Sequence, residues 1–423
     1  MADWRRTYWV VWAANLITSI GMMSFLPFFP SLLEELGVEG EGRVALWAGL
    51  CFAAAPLTAT FSAPLWGAVG DRFGRKLMVC RSMVAIALFV GAMGLATAPW
   101  QLLALRLAQG LFSGFIPPSI TLVSVLAPAD QQGRIAGNLT TSLAIGALVG
   151  PLLGGLAAAA LGSHQRVFFC VAAAAACATL LVALGAREDR ATWRQGAAPV
   201  GARAVLRAAF GDLREVAANP ELRSVALLVF AMQFGLGAVN PVMELHVREL
   251  FAGASFEGTL LERATEWSGA EGLTARDRVL AFATSLAFGV MAVASLVTLG
   301  PWGRHGDRVG HRRALVQCGV VCVASLLLQA AAPVFLVLLT GRAVMGVGMS
   351  GIGPLAFGLA AGEASADRRG GAFGAVFSAR TFAVAVGGIV GGAAYAHIGV
   401  VGLFWASAAL VAAALARFAY LAR

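Results

Sequence analysis

One eleven-residue phrase is written twice in this chain. Residues 66–76 read Trp-Gly-Ala-Val-Gly-Asp-Arg-Phe-Gly-Arg-Lys, and residues 302–312 read Trp-Gly-Arg-His-Gly-Asp-Arg-Val-Gly-His-Arg, 236 positions later. Each copy lies between two long apolar stretches. A duplicated charged hairpin between apolar runs predicts two homologous halves folded alike, each with the hairpin at the same place.

The apolar runs fix the medium. Hydrophobic residues make up 59% of the chain and charged residues 13%, against about a quarter charged in a soluble domain. Twelve runs of about 20 residues, enough to cross about 30 Å of hydrocarbon, fall at 9–30, 44–69, 77–97, 101–127, 135–161, 167–186, 224–246, 279–301, 314–332, 334–360, 371–395 and 399–419. Backbone groups in lipid must bond internally, which predicts helices rather than open strands. The expected fold is an all-α membrane protein of twelve transmembrane helices in two six-helix pseudo-symmetric bundles. No segment reads as a cleaved signal peptide, and the first run is expected to remain as a helix.

A net charge of +9 would suggest nucleic acid in a soluble chain. Here its distribution points to topology. With both termini in the cytoplasm, 21 of the 31 Lys and Arg lie on the inner side and six on the outer side, as the positive-inside rule requires. The six cysteines (Cys51, Cys80, Cys170, Cys177, Cys318, Cys322) all fall in predicted spans. They read as small packing residues; no disulfide or metal site is expected.

The repeat runs well beyond the hairpin. Arg106, Gly110 and Pro118 match Arg342, Gly346 and Pro354 at the same offset. Gly150–Gly155 matches Gly387–Gly392, and Pro27 with Leu36 matches Pro241 with Leu250. Residues 1–186 are predicted to form the first bundle, 224–423 the second, and 187–223 a cytoplasmic linker. Within the linker, 202–217 places Val205, Leu206, Phe210 and Leu213 on one face, as in an amphipathic helix lying on the membrane surface. The bundles are parallel repeats.

Six plus six helices, a basic central loop and the hairpin Gly67-Ala-Val-Gly70-Asp71-Arg72-Phe-Gly74-Arg75-Lys76 together resemble the major facilitator superfamily, over the full chain. The second hairpin copy keeps Gly306, Asp307, Arg308 and Gly310. Glycines permit a tight turn, and the basic residues hold it at the inner lipid surface. The resemblance implies that Asp71 faces the N-terminal end of span eleven near Gly371, latching the inner gate, and that Asp307 does so more weakly against span five near Gly133. Span five carries Gly146-x-x-x-Gly150-Pro151-x-x-Gly154-Gly155. Small residues four apart allow close helix contact, and the pattern resembles the antiporter motif of the family's exporting branches. Leu102-x-x-x-Arg106-x-x-Gln109-Gly110 resembles the family's span-four motif.

Charges within spans are expensive and face a cavity or a partner. Arg106, about five residues from the outer end, is open to a cavity role or to snorkelling; its repeat mate Arg342 shares the choice, and Arg380, near mid-membrane, calls for a partner or a cavity. Acids are almost absent from the spans. Glu244, at the outer end of span seven, is either a coupling carboxylate or an exposed interfacial residue, and His246 beside it reads as solvated. By family analogy spans one, four, seven and ten line the cavity, with Asn15, Met22, Met23, Phe25, Gln109, Phe112, Phe115, Met232, Gln233, Asn240, Met345 and Met349 as candidates for a soft, adaptable wall.

The resemblance therefore implies an inner-membrane secondary transporter of the bacterial multidrug branch. It would export small lipophilic molecules by alternating access, coupled to proton influx, working as a monomer without cofactor, metal or nucleic-acid partner. It is not expected to be an enzyme. Two alternatives stand beside it: a proton-coupled importer of a small metabolite on the same fold, and a non-transporting membrane sensor or scaffold.

Overall fold

A computed structural model describes residues 4–128, 132–188, 218–252, 274–363 and 369–420. The predicted amphipathic helix at 202–217 lies outside these residues. The described residues hold helices and no strand. Eleven helical segments are long and apolar enough to cross a bilayer, and the last, Ala379–Tyr420, has 42 residues. At about 1.5 Å rise per residue that length crosses twice. The turn inside it is Gly399, whose backbone (φ 62°, ψ −178°) interrupts the helix Arg369–Tyr420. Eleven segments therefore supply the twelve predicted spans.

The spans are one (Trp4–Glu35), two (Glu41–Phe73), three (Arg75–Met93), four (Pro99–Leu126), five (Gln132–Leu161) and six (His164–Gly185). The second half follows with seven (Pro220–Leu250), eight (Ala275–Val309), nine (His311–Ala330) and ten (Phe335–Glu363). Eleven and twelve flank Gly399.

Three spans expected as single helices are broken. Span one has a 3-10 turn at Leu26–Phe28 and span seven one at Asn240–Val242. Pro27 and Pro241, the matched prolines, cannot donate a backbone hydrogen bond and so force both breaks. Span four stops at Phe112 and restarts at Ile116. Gly114 there takes φ +120°, open to glycine and strained for other residues. Pro354, the mate of Pro118, sits inside a continuous helix instead.

The hairpin repeats in three dimensions. Gly74 (φ 103°) and Gly310 (φ 89°) make the turns. Their amides donate to the carbonyls of Gly70 (3.0 Å) and Gly306 (2.9 Å). The amides of Arg75 and Lys76, at the start of span three, donate to the Glu188 carboxylate at 2.7 and 3.0 Å, where the helix N-terminus favours negative charge. Lys76 also donates to the Ala183 carbonyl at the end of span six (2.7 Å). In the second copy Arg312 reaches the Phe418 carbonyl near the end of span twelve (2.9 Å) and pairs with Glu221. Each hairpin is thus anchored to the last helix of its own bundle.

Candidate functional site

The two bundles meet through glycine. In span five a Cβ on Gly146 would collide with Ser19, one on Gly150 with Met23, and one on Gly154 with the Ser24 carbonyl. Span one therefore lies directly on span five, across a helix that also contains Pro151. Gly155 faces the other way and abuts Ser285 of span eight, in the second bundle. The mate sequence repeats the division. Gly387 and Gly391 close on span seven at Phe234 and Ala238, while Gly388 and Gly392 close on Gly49 and Ala45 of span two. The small-residue motif thus serves both cohesion within a bundle and contact between bundles.

The inter-bundle hydrogen bonds joining described residues all lie at the end of the molecule away from the hairpins. The Ser31 amide donates to Glu244 Oε2 at 3.1 Å, and the Ser31 hydroxyl donates to Glu244 Oε1. Arg248 spans the seam: it donates to Glu244 (2.9 Å), to the Ser31 hydroxyl (2.7 Å) and to both oxygens of Glu34 (2.8 and 2.7 Å). A second link runs through the Tyr395 hydroxyl, 3.3 Å from Glu41 and 3.1 Å from Glu249. Glu244 is 2% exposed, which removes the interfacial alternative. His246 is buried too, beside Glu249 and the Phe404 ring, rather than solvated.

Glu244→Gln keeps the shape of this seam and removes its buried charge. Charge-assisted hydrogen bonds contribute about 1.5–3 kcal/mol, so we expect the far end to open about tenfold more often. Deuterium uptake over residues 29–36 and 243–250 would report it; uptake equal to the parent chain would refute the role.

The span-four and span-ten arginines occupy equivalent sites, and neither snorkels. Arg106 is 2% exposed and Arg342 1%. Arg106 Nε donates to the Cys51 carbonyl (3.0 Å) and Arg342 Nε to the Ala287 carbonyl (3.3 Å), again 236 positions apart. Arg106 Nη1 then donates to Gln109 (2.6 Å), and Arg342 Nη1 to Asn240 at the break in span seven (3.1 Å). Gly110 and Gly346 pack tightly on Ala55 and Met291, a third pair at the same offset. Arg380 has no ion pair or hydrogen bond to a described residue. It is exposed, yet its Nη1 lies 4.0 Å from where a Cβ on Gly353 of span ten would stand. Among the described residues, span ten at Gly353 is the neighbour its guanidinium approaches.

The expected cavity wall is only partly placed together. Asn15 accepts from Ser119 (3.0 Å), and Gln109 lies 2.9 Å from the Met22 sulfur, so spans one and four share a polar seam. Met22, Met23, Asn240 and Met349 are half-buried. Met232, Gln233 and Met345 are buried, and the Gln233 amide nitrogen lacks a partner. The aromatics also have ring neighbours of their own. Phe25 packs on Phe29 and Phe168 at the break in span one, and Phe112 stacks against Trp66 and Phe89 inside its own bundle. Phe115 is 8% exposed.

The side chains of Asp71 and of residues 371 and 133 lie outside the described residues. Asp307 does not engage span five among those that are described: it is 73% exposed and 3.6 Å from His311, one turn on. The described residues hold no group of His, Cys, Asp and Glu suited to a metal.

A model of the Major Facilitator Superfamily matches residues 11–261 and again 225–423. The chain belongs to the major facilitator superfamily. A double match over nearly the whole length is what the duplicated hairpin and paired arginines require. The chain is 32% identical over 320 residues to the multidrug resistance protein MdtG of Yersinia enterocolitica, covering 74% of this chain and 68% of that protein. It is 32% identical over 330 residues to MdtG of Serratia proteamaculans, covering 77% and 72%. Among solved structures it resembles the nucleoside transporter NupG (TM-score 0.76, 12% identity, 99% of each chain). The human organic anion transporter MFSD10 matches with TM-score 0.71 and 18% identity over 99% of this chain and 100% of that one. These two establish the fold. This superfamily member is a multi-pass integral membrane transport protein rather than an enzyme.

Sequence reasoning did not single out Ser31, Glu34, Arg248, Tyr395, Glu188 or Gly49. One signal was present: Glu244 and Arg248 stand one helical turn apart, with Glu34 close to the matching position of the first half.

Proposed function

We propose that this chain exports small lipophilic or drug-like molecules across the bacterial inner membrane by alternating access, drawing on proton entry. The observation that carries this reading is the far-end seam of Ser31, Glu34, Glu244 and Arg248, joined to the glycine-on-glycine contact of spans two and eleven. It closes one end of the bundle pair and leaves the hairpin end as the side of access. The relatives' names and the span-five glycine series support the outward direction. The basic hairpins favour a cytoplasmic hairpin end with both termini inside. The chain works as a monomer, since each bundle anchors its own hairpin and both together enclose the path. No cofactor enters; the proton is the coupling ion, driven by about 2.3 kcal/mol per charge per 100 mV.

Energised efflux from cells expressing the chain tests this. The probe set holds a lipophilic cation, a neutral dye and an anionic dye, because Arg380 sets a positive charge beside span ten that has no acidic partner among the described residues. We expect outward movement of at least one probe that an uncoupler abolishes. Inward accumulation would select the importer reading, and no movement of any probe by a correctly inserted chain would remove export of such molecules.

A further inference from the structure

At the hairpin end of span eight lies an uncovered groove of about 600 Å³ lined by Pro301, Trp302, Arg304, His305, Arg308 and Val347, among others. Trp302 forms its floor, fixed by an Nε1 hydrogen bond to the Val347 carbonyl (2.7 Å). His305 is held by Gln317 of span nine (2.7 Å). Arg304 and Arg308, one helical turn apart, are exposed, and neither has an ion pair or hydrogen bond to a described residue. The neighbouring acid, Asp307, sits beside His311 instead.

The first half shows what is missing. Its equivalent indole, Trp66, makes the same bond to the Leu111 carbonyl (2.7 Å). There the Arg81 guanidinium stands 3.6 Å over the ring and Phe112 lies 5.9 Å away. At the matching positions of the second half stand Gln317 and Gly348, and Arg304 and His305 replace Ala68 and Val69. The second copy has lost the guanidinium and phenyl contacts of its tryptophan, meets the edge of the His305 ring at 5.7 Å instead, and has gained two basic side chains.

The groove lies on the exposed side of span eight, next to span ten. Span eight meets span five through Ser285 and Gly289 and span ten through Met291, Ser295, Thr298 and Trp302. At 100° per residue, Val293, Val297, Pro301, Arg304 and Arg308 form a face turned away from the span-ten contacts, and Val293 and Val297 continue the row of Ser285 and Gly289 beyond the contact with span five. Val293 is 45% and Val297 67% exposed. This face runs apolar through the membrane and turns basic at its edge.

From this we infer that the groove binds an anionic phospholipid, its phosphate held by Arg304 and Arg308, its glycerol region on Trp302 and an acyl chain along Val297 and Val293. Paired guanidiniums suit phosphate geometry, basic grooves between spans attract anionic headgroups, and tryptophan favours this depth. The apolar continuation selects a lipid over a free anion. The inference rests only on the chain spanning a bilayer and not on what it carries.

Native mass spectrometry of the full chain, purified in detergent and mixed with phosphatidylglycerol or phosphatidylcholine, tests it. The parent chain should retain phosphatidylglycerol preferentially, also in excess inorganic phosphate. The Arg304→Gln/Arg308→Gln double variant should retain it about tenfold less. Arg417→Gln, which removes an exposed basic residue near the end of span twelve, should behave as the parent. Equal retention by the double variant, equal retention of phosphatidylcholine, an equal loss in Arg417→Gln or displacement by phosphate would each overturn the assignment. Both substitutions are on exposed side chains, so folding is preserved, and a matching unfolding temperature checks this.

Discussion

Gly49→Val stops transport and holds the far end open. A Cβ at position 49 would run into the Gly388 carbonyl and come within 3.0 Å of the Gly392 Cα. Both obstacles are backbone, so no side-chain rotation relieves them; the helices must separate. Overpacking costs about 1–3 kcal/mol, and three added carbons, the Cβ and two methyl groups, at a backbone contact fall at the upper end. That shifts a balanced two-state equilibrium about 100-fold. The penalty falls on the closed far end alone, because spans two and eleven touch there only when the seam is shut. Spin labels at Glu39→Cys and His397→Cys, two exposed sites at the far end, in a chain stripped of its native cysteines, should show a single longer distance in Gly49→Val. Efflux should fall to background while the protein remains inserted. An unchanged distance distribution with normal transport would show that the far end closes elsewhere.

The reach of the sequence depended on how local each constraint was. Hydropathy and the literal repeat of 66–76 at 302–312 located the spans and the two halves, because crossing a membrane is a demand on consecutive residues. The glycine series of span five was legible for the same reason: four-residue spacing fixes one helix face. Its division of labour, with Gly154 facing span one and Gly155 facing span eight, was not legible, since adjacent residues point 100° apart toward neighbours that the sequence does not name. The seam of Ser31 and Glu244 joins residues 213 positions apart, and no period connects them. Arg106 looked close enough to an interface to snorkel when depth was counted along a straight helix. The break at Gly114 and the carbonyl of Cys51 give it an interior address instead. Phe112 was assigned to the central wall by its span; that its ring would also stand beside Trp66 and Phe89 was not legible, since neither contact follows from the sequence.

Arg106 is expected to act through its shape more than through its charge. Its Nε binds the Cys51 carbonyl, its Nη1 binds Gln109, and its guanidinium lies 5.7 Å from the centre of Phe25 and 5.5 Å from that of Phe29. It thereby joins spans two and four to the broken part of span one. Each hydrogen bond from a charged group contributes about 1.5–3 kcal/mol and each ring contact about 0.5–2. Desolvating the charge offsets much of that sum, so Arg106→Ala should change the unfolding temperature little. Transport is another matter, because span one must keep its bend while the bundles rock. We expect efflux to drop at least tenfold in Arg106→Ala and nearly as far in Arg106→Lys, whose single ammonium lacks the planar fork that reaches carbonyl, amide and rings together. Arg342→Lys should behave alike, since Arg342 bridges the Ala287 carbonyl and Asn240 at the break in span seven. Full transport by the lysine variants would mean that the charge alone matters, and the repeated arginine geometry would then be packing without consequence for the cycle.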